Sequence, residues 1–163
     1  KISQLLRKTY DIKVDESVRA SVEKQGLTVD QAIVIASIVE RETRVQIDRP
    51  IVAGILIKRW RSGWPLQADA TIQYILGYQA KEHSWWKKSL TRQDLEIDSA
   101  YNTYTNEGLP PAPICNPSLA SIKAVANQEI TAYWYYISDS QGNMHYAKNL
   151  EEHNANIAFY LGK

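Results

Sequence analysis

The chain has 163 residues, 44% of them hydrophobic and 23% charged, enough for one compact domain to bury a core of its own. Nineteen Lys and Arg against eighteen Asp and Glu leave a formal charge of +1, which gives no electrostatic case for nucleic acid or an anionic membrane surface. The one cysteine, Cys115, cannot close an internal disulfide, and no apolar run approaches the roughly 18 residues needed to cross a bilayer.

The first third reads as helical from Lys1 onward, with no signal-peptide pattern ahead of it. Because the first residue is not Met, a longer protein carrying any targeting or anchoring segment is expected. Asp15 is placed to cap a helix that Gly26 ends. Thr28 with Gln31 forms a capping box for a second helix. That helix carries Ile33, Val34, Ile35, Ala36, Ile38 and Val39, apolar on nearly every side, so it should be buried. Asp48, Arg49 and Pro50 open a third helix, with Gly63 as its stop.

Over residues 64–117 the periodicity weakens and five of the six prolines gather, so loops and short elements are expected. Asn116 and Pro117 then read as the start of a helix running to about Asn127. Residues 133–138 (YWYYIS) form a strand by composition, residues 141–143 a turn, and residues 144–147 a return strand. Asn149 with Glu152 caps a last helix reaching about Leu161. The fold class is therefore α+β: helical N-terminal part, loop-rich centre, small antiparallel sheet and C-terminal helix, as a single domain over residues 1–163.

Chemistry gathers first in ASIVERET, residues 36–43. Glu40 and Glu42 are two apart, so at about 100° per residue they point in nearly opposite directions. Apolar neighbours and the negative end of the helix dipole should both raise the Glu40 pKa, as a glycosidic general acid requires. The competing reading pairs both glutamates with Arg41, Arg44 or Arg59.

In LQADATIQY, Gln67, Asp69 and Thr71 alternate as on an extended strand, presenting polar groups to a sugar's hydroxyls or N-acetyl group. A turn with Asp69 capping a short helix over residues 70–75 fits at least as well. In residues 99–118, Tyr101 and Tyr104 offer flat faces for a pyranose, and Asn102 and Thr103 offer hydrogen bonds. Packing of these tyrosines on the core is the alternative. His83, His145 and His153 have no partners at metal-ligand spacing. No nucleophile elbow, P-loop or dinucleotide fingerprint is present.

Taken in order, ASIVERET, LQADATIQY, YNTYTNEGLPPAPICNPSLASIKA and HYAKNLEEHN resemble the endolytic murein transglycosylases, the MltG or YceG-like family, over roughly residues 27–161. The resemblance implies a bacterial lyase that cuts peptidoglycan glycan strands between N-acetylmuramic acid and N-acetylglucosamine and leaves 1,6-anhydromuramic ends. It puts the catalytic glutamate at the first Glu of ASIVE, Glu40. Glu42, Gln67, Asp69, Tyr101, Asn102, Tyr104, Asn116, His153 and Asn154 would line or support the cleft. One carboxylic acid would suffice, since the muramic C6 hydroxyl is the nucleophile, and no metal or cofactor is implied.

Such proteins usually carry an N-terminal membrane anchor and a LysM-like region, neither of which is in this sequence. They act on the outer face of the cytoplasmic membrane, beside penicillin-binding protein synthases. Ala70 stands where the family usually has Pro, and Ala112 where it usually has Gly; neither is expected to touch a catalytic group. The rival readings are a non-catalytic peptidoglycan-binding module and a synthase scaffold.

Overall fold

A computed structural model describes residues 1–162. Its organising element is α3 (Val29–Glu42), started by the Thr28–Gln31 capping box. Ala32, Ile35, Ala36, Ile38 and Val39 on this helix are fully buried. A helix apolar all round must be surrounded, and it is: α2 (Glu16–Lys24), α4 (Arg49–Arg61), α5 (Asp69–Leu76) and α6 (Leu119–Ala126) all pack on it. α1 (Ile2–Lys13) lies outside with no buried residue.

The helix boundaries follow local chemistry. The Asp15 carboxylate accepts from the Val18 amide at 3.0 Å, and Gly26 takes a left-handed φ of +69° beyond the end of α2, a conformation that costs glycine little. Pro50 sits in the first turn of α4. On the same helix, a Cβ at Gly54 would lie 2.0 Å from the Glu129 carbonyl oxygen, so only glycine lets this backbone approach so closely.

The α+β class is as expected. The small sheet is one antiparallel hairpin, β1 (Tyr135–Ser138) with β2 (Met144–Ala147), in the register Tyr136↔Tyr146. Asn149 caps α7 (Leu150–Asn156), accepting from the Glu152 amide at 2.8 Å. α7 then widens into a π-helical turn over Ile157–Leu161. Between α5 and α6 the described residues hold one short 3-10 turn, Asp94–Glu96, and an isolated bridge.

Two boundaries differ from expectation. α6 starts at Leu119 because the Ser118 hydroxyl, and not Asn116 or Pro117, caps it. β1 starts at Tyr135, although the Trp134 amide already bonds the Ala147 carbonyl at 2.9 Å. Among the described residues, no helix is long and apolar enough to cross a membrane.

Candidate active site

α3 ends with its two glutamates in contrasting surroundings. Glu40 is tied down. Its Oε2 accepts from the Ser118 amide at 2.9 Å, the Ser118 hydroxyl at 2.6 Å and the Ser121 hydroxyl at 2.8 Å. Its Oε1 faces Arg49 at 3.3 Å. Burial alone would raise its pKa, but the donors from Ser118 and Ser121, with Arg49, outweigh burial and hold it below the usual carboxylate range. Glu40 therefore differs from the expected raised acid: it is an ionised anchor joining the end of α3 to the starts of α4 and α6, and it does not line the cleft.

Glu42 faces the other way, into a cleft of roughly 430 Å³. The cleft is walled by α3 and α4, the start of α5, the loop bearing Tyr104, the hairpin and α7. Burial and the neighbouring Asp69 charge raise the Glu42 pKa to about 7, against smaller opposing effects from the Ala70 amide, the Tyr136 hydroxyl and Arg59. The Ala70 N–H donates to Glu42 Oε1 at 3.3 Å.

The floor is held by Arg59, only 5% exposed and on the same helix as the buried Val52, Ile55 and Leu56. Its Nε donates to the Trp134 carbonyl at 2.8 Å and its Nη1 to the Leu66 carbonyl at 2.7 Å. One guanidinium thus ties α4 to both the hairpin and the approach to α5.

Gln67 and Asp69 both line this cleft. Asp69 opens α5, so the extended-strand reading gives way to the helical one; the N-cap position itself falls to Ala68. Thr71, expected beside them, is buried and shares a 2.9 Å hydrogen bond with Thr103. Thr103 also takes the Ala68 amide at 3.1 Å through its hydroxyl and the Gln67 amide at 2.9 Å through its carbonyl. These bonds staple LQADATIQY to YNTYTNEG. They also hold Gln67 at φ 51°, a region non-glycine residues seldom occupy and which tends to mark functional sites.

The tyrosines of that second motif part company. Tyr104 lines the cleft and its hydroxyl donates to Asp69 Oδ1. Tyr101 packs on the core and against Tyr74 with ring centroids 4.9 Å apart, as the alternative reading had it. Asn102 is fully buried. Its amide donates to the Leu95 and Ile97 carbonyls at 3.0 and 2.8 Å, and its Oδ1 accepts from the Tyr104 amide at 2.9 Å. It orients Tyr104 and does not face the cleft.

Asn116 and Asn154 are exposed and outside the cleft. His153 lines it, stacked on Tyr135 with centroids 5.0 Å apart. Burial and Arg59 lower the His153 pKa, which favours the neutral ring, and its Nδ1 is buried without a hydrogen-bond partner.

The YceG-like family matches residues 1–158. The chain belongs to that family. It is 35% identical over 139 residues to the endolytic murein transglycosylase of Bacillus subtilis, a match covering 85% of this chain and 37% of that protein. The enzyme of the same name from Streptococcus pneumoniae serotype 2 is 35% identical over 143 residues, covering 87% of this chain and 26% of the relative. The crystal structure of a yceG-like protein from Listeria monocytogenes superposes with a TM-score of 0.79 at 36% identity, over 91% of this chain and 46% of that one. The chain thus spans less than half the length of each.

One departure from the usual YceG-like pattern gains meaning from this geometry. A proline at position 70 would have no N–H, whereas Ala70 supplies the amide that reaches Glu42. The contact is with Glu42, expected among the supporting residues, and not with Glu40. Ala112 is not among the residues with positive φ, so its Cβ is accommodated without backbone strain.

Arg59, Tyr135, Tyr136 and Met144 line the cleft as well and were not anticipated as site residues. Arg59 had a signal, a lone cation on an apolar helix face. The hairpin residues had none, because only the tertiary packing turns β1 toward α3.

Proposed function

We propose that the chain cleaves peptidoglycan glycan strands at the N-acetylmuramic acid–N-acetylglucosamine bond, in the cell envelope, with Glu42 as its general acid. The observation that carries this is a cleft carboxyl group raised to about 7. At neutral pH such a group is protonated in a large fraction of molecules and can give its proton to a leaving glycosidic oxygen. Glu40, lowered and fully engaged, has no such proton to give. The relatives' name, endolytic murein transglycosylase, supports both the substrate class and cutting within strands.

The chemistry follows from the cleft. Glu42 protonates the leaving oxygen as the bond to the muramic C1 breaks, and the muramic C6 hydroxyl closes on C1 to give a 1,6-anhydro end. Gln67 and His153, which line the cleft, hydrogen-bond the sugar in this reading. Tyr136 holds the Glu42 carboxyl.

The test is release of soluble muropeptides from purified murein sacculi. Wild type and Glu40→Gln are expected to release them, and a folded Glu42→Gln is expected to be slower by about 10² to 10⁴. Loss of release in Glu40→Gln alone would return the role to Glu40. No release by any variant, with glycan binding intact, would leave a binding module.

A further inference from the structure

We propose that Asp69 is a second catalytic residue of this cleft, the base that takes the proton from the attacking sugar hydroxyl while Glu42 protonates the leaving oxygen. The proposal rests on the Glu42 reading above and adds to it. A single glutamate would have to act in sequence, first as acid and then as base. This cleft holds two carboxyl groups in unlike settings, the arrangement that separates an acid from a base.

The settings differ in detail. Glu42 is held by the Ala70 amide and the Tyr136 hydroxyl, and is only partly exposed. Asp69 is exposed in the same cleft. Tyr104 fixes its Oδ1, and its Oδ2 accepts no side-chain or backbone hydrogen bond among the described residues. No lysine, arginine or histidine pairs with Asp69 among the described residues. The cation that is present, Arg59, directs its Nε to the Trp134 carbonyl and its Nη1 to the Leu66 carbonyl. Of the other titratable groups facing the pair, Tyr104 and Tyr136 are raised by burial and neighbouring acids, and His153 is lowered.

An unpaired carboxylate set against a second one disfavours folding, so its retention calls for a use. One structural benefit exists, a negative charge in the first turn of α5, where it meets the positive end of the helix dipole. The test must therefore read chemistry and not stability alone.

The step balances without any co-reactant. The bond from C1 to the leaving oxygen breaks as that oxygen takes the Glu42 proton. The bond from C1 to O6 forms as the O6 proton passes to Asp69 Oδ2. Glu42 is left as carboxylate and Asp69 as acid, and one proton crossing the cleft restores both. The Tyr104 hydroxyl, bonded to Asp69, and the Tyr136 hydroxyl, which acts on Glu42, flank that path.

The experiment compares natural glycan strands with a muramyl 2,4-dinitrophenyl glycoside, whose leaving group needs no proton. Glu42→Gln is expected to be slow on glycan and restored at least tenfold on the activated glycoside. Asp69→Asn is expected to be about 10² slower or more on both, with glycan KM and melting temperature close to wild type. Wild-type kcat for Asp69→Asn on either substrate would overturn the proposal and leave Glu42 untouched. A Glu42→Gln variant unimpaired on glycan would instead overturn the reading beneath it. Tyr104→Phe keeps both carboxyl groups and removes only the bond orienting Asp69. A fall in its kcat on both substrates supports the base role, and wild-type kcat on both opposes it.

Discussion

At the scale of single residues, the position of a proton separates Glu42 from Glu40, and it makes pH the natural probe. In the proposed mechanism the acid form of Glu42 is the competent one, and its pKa is raised by burial and Asp69 to about 7. Cleavage by wild type should therefore decline above about pH 7. The Ala70 amide opposes that shift, so Ala70→Pro, at a helical position that tolerates proline, should move the alkaline limb upward. A kcat/KM profile measured for both proteins checks the direction; a limb that stays where it is would mean the amide does not act on Glu42. Stability carries the same sign. A glutamate raised on folding disfavours the folded state once ionised, so its burden is absent below the unfolded pKa and grows as pH rises toward 7. Glu42→Gln should be more stable than wild type at pH 8, by on the order of 2–3 kcal/mol, with the gap closing near pH 4. Urea melts at the two pH values read it out.

At the scale of elements, Glu40 shows how a sequence can mislead when its own helix is read alone. Apolar neighbours and the helix dipole both argued for a raised pKa; what reversed the sign are Ser118 and Ser121, at the start of α6, and Arg49, in α4. None of them is near in sequence except Arg49, and nothing local places the others. The helices themselves were legible because capping is local: Asp15, Thr28 with Gln31, and Asn149 all cap as their spacing implies. Tyr101 and Asn102 were legible as residues that matter, but not as packing and loop-bracing groups, since a loop's inward and outward faces carry no period. If Glu40 is the clamp, Glu40→Ala should lose about 1–3 kcal/mol by stranding the partly buried Arg49 and the Ser118 amide. Because its pKa is lowered on folding, that contribution is present at neutral pH and fades as pH falls through the folded value. A Glu40→Ala protein as stable as wild type at pH 7 would leave the clamp without energetic weight.

At the scale of the whole molecule, α3 delivers Glu42, α5 delivers Asp69, the central loop delivers Tyr104 and the hairpin delivers Tyr136, all into one cleft. Bringing a second carboxylate beside the first reopens a question about the nucleophile. Two carboxyl groups can also activate water, and hydrolysing glycosidases are built that way. The cleft lining is mixed, with Ile137, Met144, Leu150 and Leu161 beside Glu42, Arg59, Gln67, Asp69, Tyr104 and His153, and an attacking water would need an ordered site of its own among those polar groups. The sugar's own C6 hydroxyl, carried in with the substrate, needs no such site. Digestion of glycan strands in heavy-oxygen water should therefore give new muramic ends without label and lighter by one water than a reducing end. Fragments should also span a range of lengths if the chain cuts within strands, as the relatives' name says those proteins do. Label in the new ends would mean that water attacks, and Asp69 would then be its base, with the 1,6-anhydro product abandoned.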